Sequence, residues 1–441
     1  MKTKTLKITI PVTLIIIILA LIPFHAFLTV WLSSLIGHYT ALRLWKEYLL
    51  AILVLFSLYF IIKDKEVRDL FRHFRVIQLI ILFLVIELIW GIVARRKGDV
   101  NTKALLYGWL SDTRYLIFFI VTLIFAKKTG VLKFYSLKLI LYPALVVIIF
   151  GLLEILVLPK NFLSHFGYGP STIYPYQTIN HNSHYVRILS TLRGSDSLGA
   201  YMLVPLSLLS ILIVKGRKRL KLGLFFLGGV VVLIFSFSRS AWLGFILSLI
   251  AAIYLSLKSS AFKRYFMYIS LAVIVILAGF FIAERNNSRV QNIVFHTQKN
   301  SSIKSTSDAG HASALKTGLK QLASEPLGRG PGTSGPASVY NSHPARITEN
   351  YYIQIGQEVG WLGLIVFVSI NVLVVLSLWN RREDNLSLAL LCAFIGITVC
   401  NLLLESWTDD TLAYLWWGLA GIAIAVPPKN KRLSKNNPRI I

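Results

Sequence analysis

The chain has 441 residues, of which 55% are hydrophobic and only 15% charged, with 46 Lys and Arg against 19 Asp and Glu. Its apolar residues come in runs of about 20, the length that an α-helix needs to cross a bilayer. This excludes a soluble protein and also a membrane β-barrel, whose strands are short and alternate in hydrophobicity. The sequence therefore predicts an all-α, polytopic membrane protein.

Twelve apolar segments are candidate transmembrane helices. They cover residues 8–31, 45–62, 76–94, 104–126, 135–158, 195–214, 220–237, 240–257, 265–283, 351–379, 384–404 and 411–426. The first follows the basic stretch MKTKTLK, but it is long and has no clear small-residue cleavage site, so we expect a retained helix rather than a signal peptide. We expect a single integral membrane domain over 1–441, with residues 284–350 as a large outer loop.

The basic residues follow the predicted topology. If the N-terminus is cytoplasmic, 27 of the 46 Lys and Arg lie in or beside cytoplasmic segments and 10 in or beside short outer loops. This bias is the positive-inside rule, so the basic excess reports topology rather than a nucleic-acid partner. Both termini are then cytoplasmic. One outer loop disagrees, since it carries Arg95, Arg96, Lys97 and Lys103; it is either a small topology error or a basic patch for an anionic lipid head group.

Two outer segments are long enough to carry function. The first, 159–193, is rich in tyrosine and histidine. In the second, 284–350, the stretch HASALKTGLKQLA places His311, Leu315, Leu319 and Leu322 on one helical face. We expect a short amphipathic helix with His311 turned inward. The following SEPLGRGPGTSG is rich in turn residues, and a plain connector is a better interpretation than a phosphate-binding loop because no Gly-Lys-Ser/Thr follows.

Three arginines lie in or next to apolar segments, where a charge usually faces a partner or a ligand. Arg239, in SFSRSAWLG, lies near the outer boundary; it either snorkels to the head groups or offers its forked donors to a phosphate. Arg193 precedes the sixth span, as an ordinary loop charge paired with Asp196 or as a ligand contact. Arg114 lies deeper, where a structural ion pair and a ligand contact are equal alternatives.

The tenth span opens with a polar stripe, in ENYYIQIGQEVGWLG. Asn350, Gln354, Gln357 and Glu358 share one helical face, so they line either a cavity or a seam between helices. Glu349, at the start of this stripe and beside the helix N-terminus, is either a carboxylate that the helix dipole favours there or a general base. The sequence shows no metal-ligand cluster, and Cys392 and Cys400 are interpreted as small core residues of one span. We therefore expect no cofactor and no metal.

Together, RGSDSLGAYM, SRSAWLG, the loop helix with PLGRGPG, and ENYYIQIGQEVGWLG resemble the O-antigen ligase/O-antigen polymerase superfamily of bacterial membrane glycosyltransferases. The resemblance implies a C-type glycosyltransferase-like fold of about 12 helices, with the large outer loop between helices 9 and 10. It implies transfer, without a metal or a nucleotide sugar, from an undecaprenyl-diphosphate-linked glycan to a lipid or cell-wall glycan acceptor. The active site is expected on the outer face of the plasma (inner) membrane, among membrane lipids.

The resemblance also suggests roles for individual residues. Arg239 matches the arginine of the family's Ser-Arg-Ser/Gly motif, which is expected to bind the donor diphosphate. Ligases often have His-Asn where this chain has Glu349-Asn350, and often arginine where it has His311. The base is therefore Glu349 or His311. The predicted substrate-binding residues are Arg239, Arg193, Arg114, Asn350, Gln354 and Glu358.

Three other functions remain open at this point. A polymerase that joins repeat units shares the expected architecture and differs only in its acceptor. A flippase or transporter for a lipid-linked glycan would move the same ligand without breaking a bond. A structural membrane protein would use all its polar residues as contacts between helices.

Overall fold

The computed structural model describes residues 8–179, 182–216, 219–295 and 307–427. It is all-α, apart from one small hairpin of antiparallel strands, β1 (Gln177–Ile179) and β2 (Asn182–Arg187). The helices are α1 (Ile10–Leu21), α2 (His25–Ile36), α3 (Tyr39–Arg43), α4 (Trp45–Lys63), α5 (Lys65–His73), α6 (Arg75–Lys97), α7 (Thr102–Lys128), α8 (Val131–Leu156), α9 (Ser195–Val214), α10 (Arg219–Phe235), α11 (Arg239–Ser256), α12 (Ser260–Ala283), α13 (Ser288–Val290), α14 (Ser307–Ser324), α15 (Tyr351–Trp379), α16 (Asn385–Leu403) and α17 (Asp410–Ile424).

The prediction of a polytopic helical membrane protein is confirmed. Within the described residues, ten helical segments are long and apolar enough to span a membrane, and α1 and α2 together form the first of them. Two more of the expected spans form shorter helices, the 17-residue α10 and the 15-residue α17. A helix satisfies its own backbone hydrogen bonds, which is why an apolar run takes this form in lipid.

Helix α17 lies at the centre of the bundle. All fifteen of its residues are buried, and it packs closely along α7. Its Trp416 and Trp417 form an aromatic cluster with Trp407 and Tyr115, with ring centroids 5.1–6.1 Å apart. The cluster thus packs α17 against α7 and against the turn that precedes α17.

The loops contact one another in the two groups that the predicted topology requires. On one side, Lys133 pairs with Asp384, and Lys215 donates to Asn385 at 2.7 Å. On the other side, the 98–101 turn contacts the large loop, since Asn101 Nδ2 donates to the Tyr340 carbonyl at 2.7 Å. The basic segment from Arg95 to Lys103 therefore shares a face with the large loop, which removes the topology-error alternative.

Candidate active site

A cleft of about 640 Å³ opens on the face that carries the large loop. Its charged lining residues are Arg187, Asp196, Arg239, His311 and Glu349, and an apolar wall is formed by Phe237, Leu243, Leu315, Leu402, Leu403 and Leu404. The fold thus brings together three residues that the sequence singled out for chemistry, namely Arg239, His311 and Glu349. Each of them comes from a different element.

The turn between α10 and α11 presents Arg239 to the cleft. Ser236 and Ser238 are buried against Gly199 of α9, where an added Cβ atom would come within 2.8 Å of the Ser238 Cβ. Phe237, between the two serines, has a left-handed φ of 50°. The small residues of SFSRS therefore allow α9 to approach this turn closely, and Arg239 follows as the first, half-buried residue of α11.

Arg187 is a second arginine of the cleft, and it is not among the residues predicted from the sequence. It ends β2, where its Nε donates to the Ser236 carbonyl at 2.9 Å and its Nη2 pairs with Asp196 at 2.8 Å. Asp196 thus pairs with Arg187, not with Arg193 as the sequence suggested. The sequence offered only a lone arginine in a segment rich in Tyr and His, and the contact depends on the β1–β2 hairpin that carries it.

Glu349 and His311 form a contacting pair within the cleft. His311 Nδ1 meets Glu349 Oε2, and about a third of each side chain remains exposed. The predicted loop helix is confirmed as α14, and it places His311 toward the cleft. The Glu349 N–H donates to Glu405 Oε1 at 2.7 Å. Burial raises the pKa of the Glu405 carboxyl above its ordinary value of 4.5.

The backbone is strained at two positions of the cleft. Phe237 has φ 50° and Glu349 has φ 53°, and neither is a glycine. A left-handed conformation of a residue with a Cβ costs on the order of 1–3 kcal/mol and persists only where the surrounding structure enforces it. Such strain clusters at functional sites, so its presence at two lining residues of one cleft supports a chemical role for the cleft.

The polar stripe of α15 lies in a seam with the large loop. Glu358 Oε1 accepts from the N–H groups of Gly332 at 2.8 Å and Ser334 at 3.3 Å. Gln354 lies against Gly335 of the same loop. Asn350 caps α15, because its Oδ1 accepts from the Ile353 N–H at 3.0 Å. Neither Asn350 nor Gln354 nor Glu358 lines the cleft, so their role in substrate binding stays a prediction.

Helix α15 is interrupted at Gly360, which has φ 69°. The segment 326–334 supplies hydrogen-bond partners for backbone groups of α15 near this interruption. Three hydrogen bonds join the two backbones: Arg329 N–H to Gln357 O (2.8 Å), Gly330 N–H to Glu358 O (2.7 Å) and Trp361 N–H to Pro326 O (3.0 Å). The Arg329 and Gly330 amides of the loop therefore already donate to carbonyl groups of α15. The contacts support the interpretation of PLGRGPGTSG as a connector.

Arg114 and Arg193 lie outside the cleft. Arg114 is buried and pairs with Glu47, at 3.0 Å, and with Asp410, so the structural ion pair is the alternative observed. Arg193 is exposed and lines a separate, smaller pocket on the same face, into which Arg114 also projects. Substrate binding by either arginine stays a prediction.

A third pocket, of about 340 Å³, adjoins the cleft and shares Arg187 and Phe237 with it. Tyr176, His184 and Tyr185 of the 159–193 segment line this pocket. Among the described residues, no group of three His, Cys, Asp or Glu side chains is arranged to hold a metal ion.

Residues 223–368 match the family model described as O-antigen ligase. This segment holds the α10–α11 turn, Arg239, the large loop, Glu349 and the first part of α15. The resemblance to the O-antigen ligase superfamily is confirmed over this segment. No curated protein matches the chain.

Proposed function

We propose that this multi-pass membrane protein with an O-antigen ligase domain is a metal-independent, inverting glycosyltransferase. It takes a glycan from undecaprenyl diphosphate and transfers it to a lipid or cell-wall glycan acceptor on the outer face of the plasma membrane. The observation that carries the proposal is the meeting of two arginines with a Glu–His pair in one cleft.

The two arginines suit the donor diphosphate. Guanidinium groups present forked donors that match phosphate oxygens, and Arg187 and Arg239 line the cleft from two neighbouring segments. In addition, the apolar wall contains Leu243, Leu402 and Leu403, whose side chains are about half exposed. A diphosphate bound at the two arginines, with its polyprenyl chain along this wall, accounts for both the charged and the apolar lining residues of the cleft.

The Glu349–His311 pair suits the removal of a proton. In the proposed step an acceptor hydroxyl oxygen attacks the anomeric carbon from the face opposite the diphosphate. The carbon–oxygen bond to the diphosphate breaks, and its electron pair leaves on the phosphate oxygen. The hydroxyl proton passes to His311, and the Glu349 carboxylate stabilises the imidazolium that forms. Arg187 and Arg239 stabilise the charge that develops on the leaving diphosphate.

A transfer assay tests this proposal. The purified protein in nanodiscs is given an undecaprenyl-diphosphate glycan and an acceptor, and the release of undecaprenyl diphosphate is measured. We expect Arg239→Gln to lower kcat/KM by at least 100-fold, because one charge-assisted contact to the leaving group is lost. Arg329→Gln is the matched control, since Arg329 is exposed in the large loop and does not line the cleft.

The same assay separates the rival functions. A ligase transfers the glycan to an unrelated acceptor, whereas a polymerase extends a second lipid-linked glycan. A flippase moves the donor across the bilayer and releases no undecaprenyl diphosphate. Transfer at the wild-type rate by Arg239→Gln would contradict the proposed donor site.

A further inference from the structure

The smaller pocket that Arg193 lines has a distinct charge pattern. It has a volume of about 70 Å³ and lies on the same face as the cleft. Its polar lining comes from α3 and α4, α7, the turn before α9, the large loop and the turn before α17: Arg43, Lys46, Tyr107, Ser111, Arg114, Arg193, Tyr340 and Thr408. We call it the arginine pocket.

Two cations of the arginine pocket, Lys46 and Arg114, are neutralised by buried carboxylates. Lys46 Nζ lies 3.0 Å from Glu47 Oε2 and 2.8 Å from Asp410 Oδ2, and Arg114 pairs with the same two carboxylates. This buried group therefore balances two cations against two carboxylates. Charges out of water persist when they are paired in this way.

The other two cations, Arg43 and Arg193, form no ion pair within the described ranges, although Asp410 attracts the Arg43 guanidinium group from a greater distance. The Arg43 guanidinium is held 5.7 Å from the ring centroid of Tyr107, which itself stacks on Tyr340 at 4.7 Å. Arg193 is exposed and makes no hydrogen bond with the described part of the chain. The pocket thus holds one guanidinium in a fixed position and a second one that is accessible.

The size of the pocket limits what it can take. A cavity of about 70 Å³ holds a few waters, at about 10–15 Å³ each, and is too small for a sugar ring. A phosphate or carboxylate group fits this space. Two guanidinium groups with unused donors are the side chains that bind such a group best.

The arginine pocket and the cleft share no lining residue, but the same segments of the chain build both. Arg193 lines the pocket, and Asp196, three residues later, lines the cleft. In the segment between α16 and α17, Thr408 lines the pocket and Leu404 lines the cleft. The large loop likewise contributes Tyr340 to the pocket and Glu349 to the cleft. A molecule anchored in the pocket is therefore held by the same segments that carry lining residues of the cleft.

We propose that the arginine pocket binds a phosphate or carboxylate group carried by the acceptor glycan, which holds the acceptor beside the cleft. This inference rests on the proposed function. It gives Arg193 a role in acceptor binding, while Arg187 and Arg239 serve the donor.

The first test measures binding alone. Microscale thermophoresis of the full-length protein in neutral detergent at low salt uses four probes: glucose 6-phosphate, glucuronate, glucose and short-chain phosphatidylglycerol. We expect one of the two charged sugars to bind at least tenfold more tightly than glucose. Arg43→Gln and Arg193→Gln should each weaken that binding at least tenfold, whereas the matched control Arg96→Gln, an exposed arginine on the same face, should not.

Two results would overturn the proposal. One is equal binding of the charged sugars by the wild type and both variants. The other is binding of phosphatidylglycerol alone that depends on Arg43 and Arg193, which would make the pocket a lipid head-group site.

A second test separates the pocket from the donor site. In the transfer assay, Arg193→Gln should raise the KM for a charged acceptor at least tenfold and leave the KM for the donor unchanged. An equal rise in both KM values would contradict the acceptor role. If Arg239→Gln leaves transfer intact while Arg193→Gln still abolishes sugar binding, the proposed donor site fails and the arginine pocket stands.

Discussion

At the scale of single residues, Glu349 combines a chemical group with a strained backbone. Its φ of 53° places it in the left-handed region, and its carboxylate meets His311. The left-handed φ is a property of the backbone, whereas the proposed support of proton transfer depends on the side-chain carboxylate. Substitutions can therefore separate the two contributions.

We expect Glu349→Gly and Glu349→Ala to lose transfer activity alike, because both lack the carboxylate. Their stabilities should differ, since glycine adopts a left-handed φ without the cost of about 1–2 kcal/mol that a Cβ brings. Thermal unfolding should thus occur at a higher temperature for the glycine variant than for the alanine variant. Equal melting temperatures would contradict the strain, and full activity in either variant would contradict the chemical role.

Glu405 supports Glu349 through a single hydrogen bond from the Glu349 N–H. Glu405→Gln retains a carbonyl oxygen that accepts this bond, so we expect most of the activity to remain. Glu405→Ala removes the acceptor, and we expect at least a tenfold loss of activity. Glu405→Asp, with a shorter side chain, should be intermediate. Equal activity of the glutamine and alanine variants would contradict this support.

The raised pKa of Glu405 gives this position a pH dependence. Burial favours the neutral carboxyl, so the ionised form costs stability at pH 7, and this cost falls as the pH drops through the raised pKa, above 4.5. Glu405→Gln should therefore unfold at a higher temperature than the wild type at pH 7. The difference should shrink as the pH approaches 4.5 in a thermal-unfolding series. A difference that stays constant with pH would argue against a buried, ionised Glu405.

At the scale of elements, the seam between α15 and the large loop positions the site. Gly332 has φ 82°, and an added Cβ would meet the Ala104 carbonyl of α7. Its N–H also donates to Glu358. The glycine-rich stretch is thus packed tightly between two helices, and it fixes the large loop that carries His311 and Glu349.

We expect Gly332→Ala to destabilise the protein and lower activity, because the backbone cannot keep its left-handed φ or its approach to α7. A loss of more than about 2 kcal/mol is expected from strain and overpacking together. Gly310→Ala in α14 is the matched control, since a Cβ there meets nothing within 4 Å. Equal thermal stability of the two variants would contradict the tight packing.

The helices were the predictable part of the fold, because apolar runs of membrane length have one stable form in lipid. Helix α14 was predictable for a similar reason, since its apolar residues repeat with the helical period. The interruption of α15 was not, because Gly360 interrupts the helix only where residues 326–334 supply partners for the freed backbone groups. That partner segment is distant in sequence, and no local pattern reveals it.

The candidate site was predictable in part. Arg239, His311 and Glu349 stood out as charged or titratable groups at segment boundaries, and they line one cleft. Arg187 was missed because its position depends on the β1–β2 hairpin. Glu358 was predicted to bind substrate because it belongs to the polar stripe of α15, and that role stays a prediction. Its hydrogen bonds from the Gly332 and Ser334 amides were not predictable, because a side-chain pattern does not display backbone donors of a distant loop.

At the scale of the whole molecule, a buried ion group ties the central helix to its surroundings. Asp410 starts α17 and meets Lys46, His25 and Arg114, which come from three other helices. Removing one cation from such a group leaves a buried charge uncompensated, which typically costs 3–5 kcal/mol. We expect Arg114→Ala to lower the melting temperature strongly.

Arg239→Ala is the natural comparison for that prediction. Arg239 lines an open cleft and is only half-buried, so its loss should leave the fold intact. We therefore expect Arg114→Ala to lower the melting temperature of the protein, and Arg239→Ala to lose transfer activity at an unchanged melting temperature. Size-exclusion profiles and thermal unfolding of the two variants in one detergent compare them directly. A stable Arg114→Ala protein would contradict the structural role of the ion group.

The donor site at Arg239 is tested most directly by mass spectrometry of the lipids that co-purify with the wild type and with Arg239→Ala. If the cleft holds a lipid-linked donor, a polyprenyl-diphosphate glycan should accompany the wild type and be absent from the folded variant. An equal amount of that lipid on both proteins would contradict the donor site at Arg239.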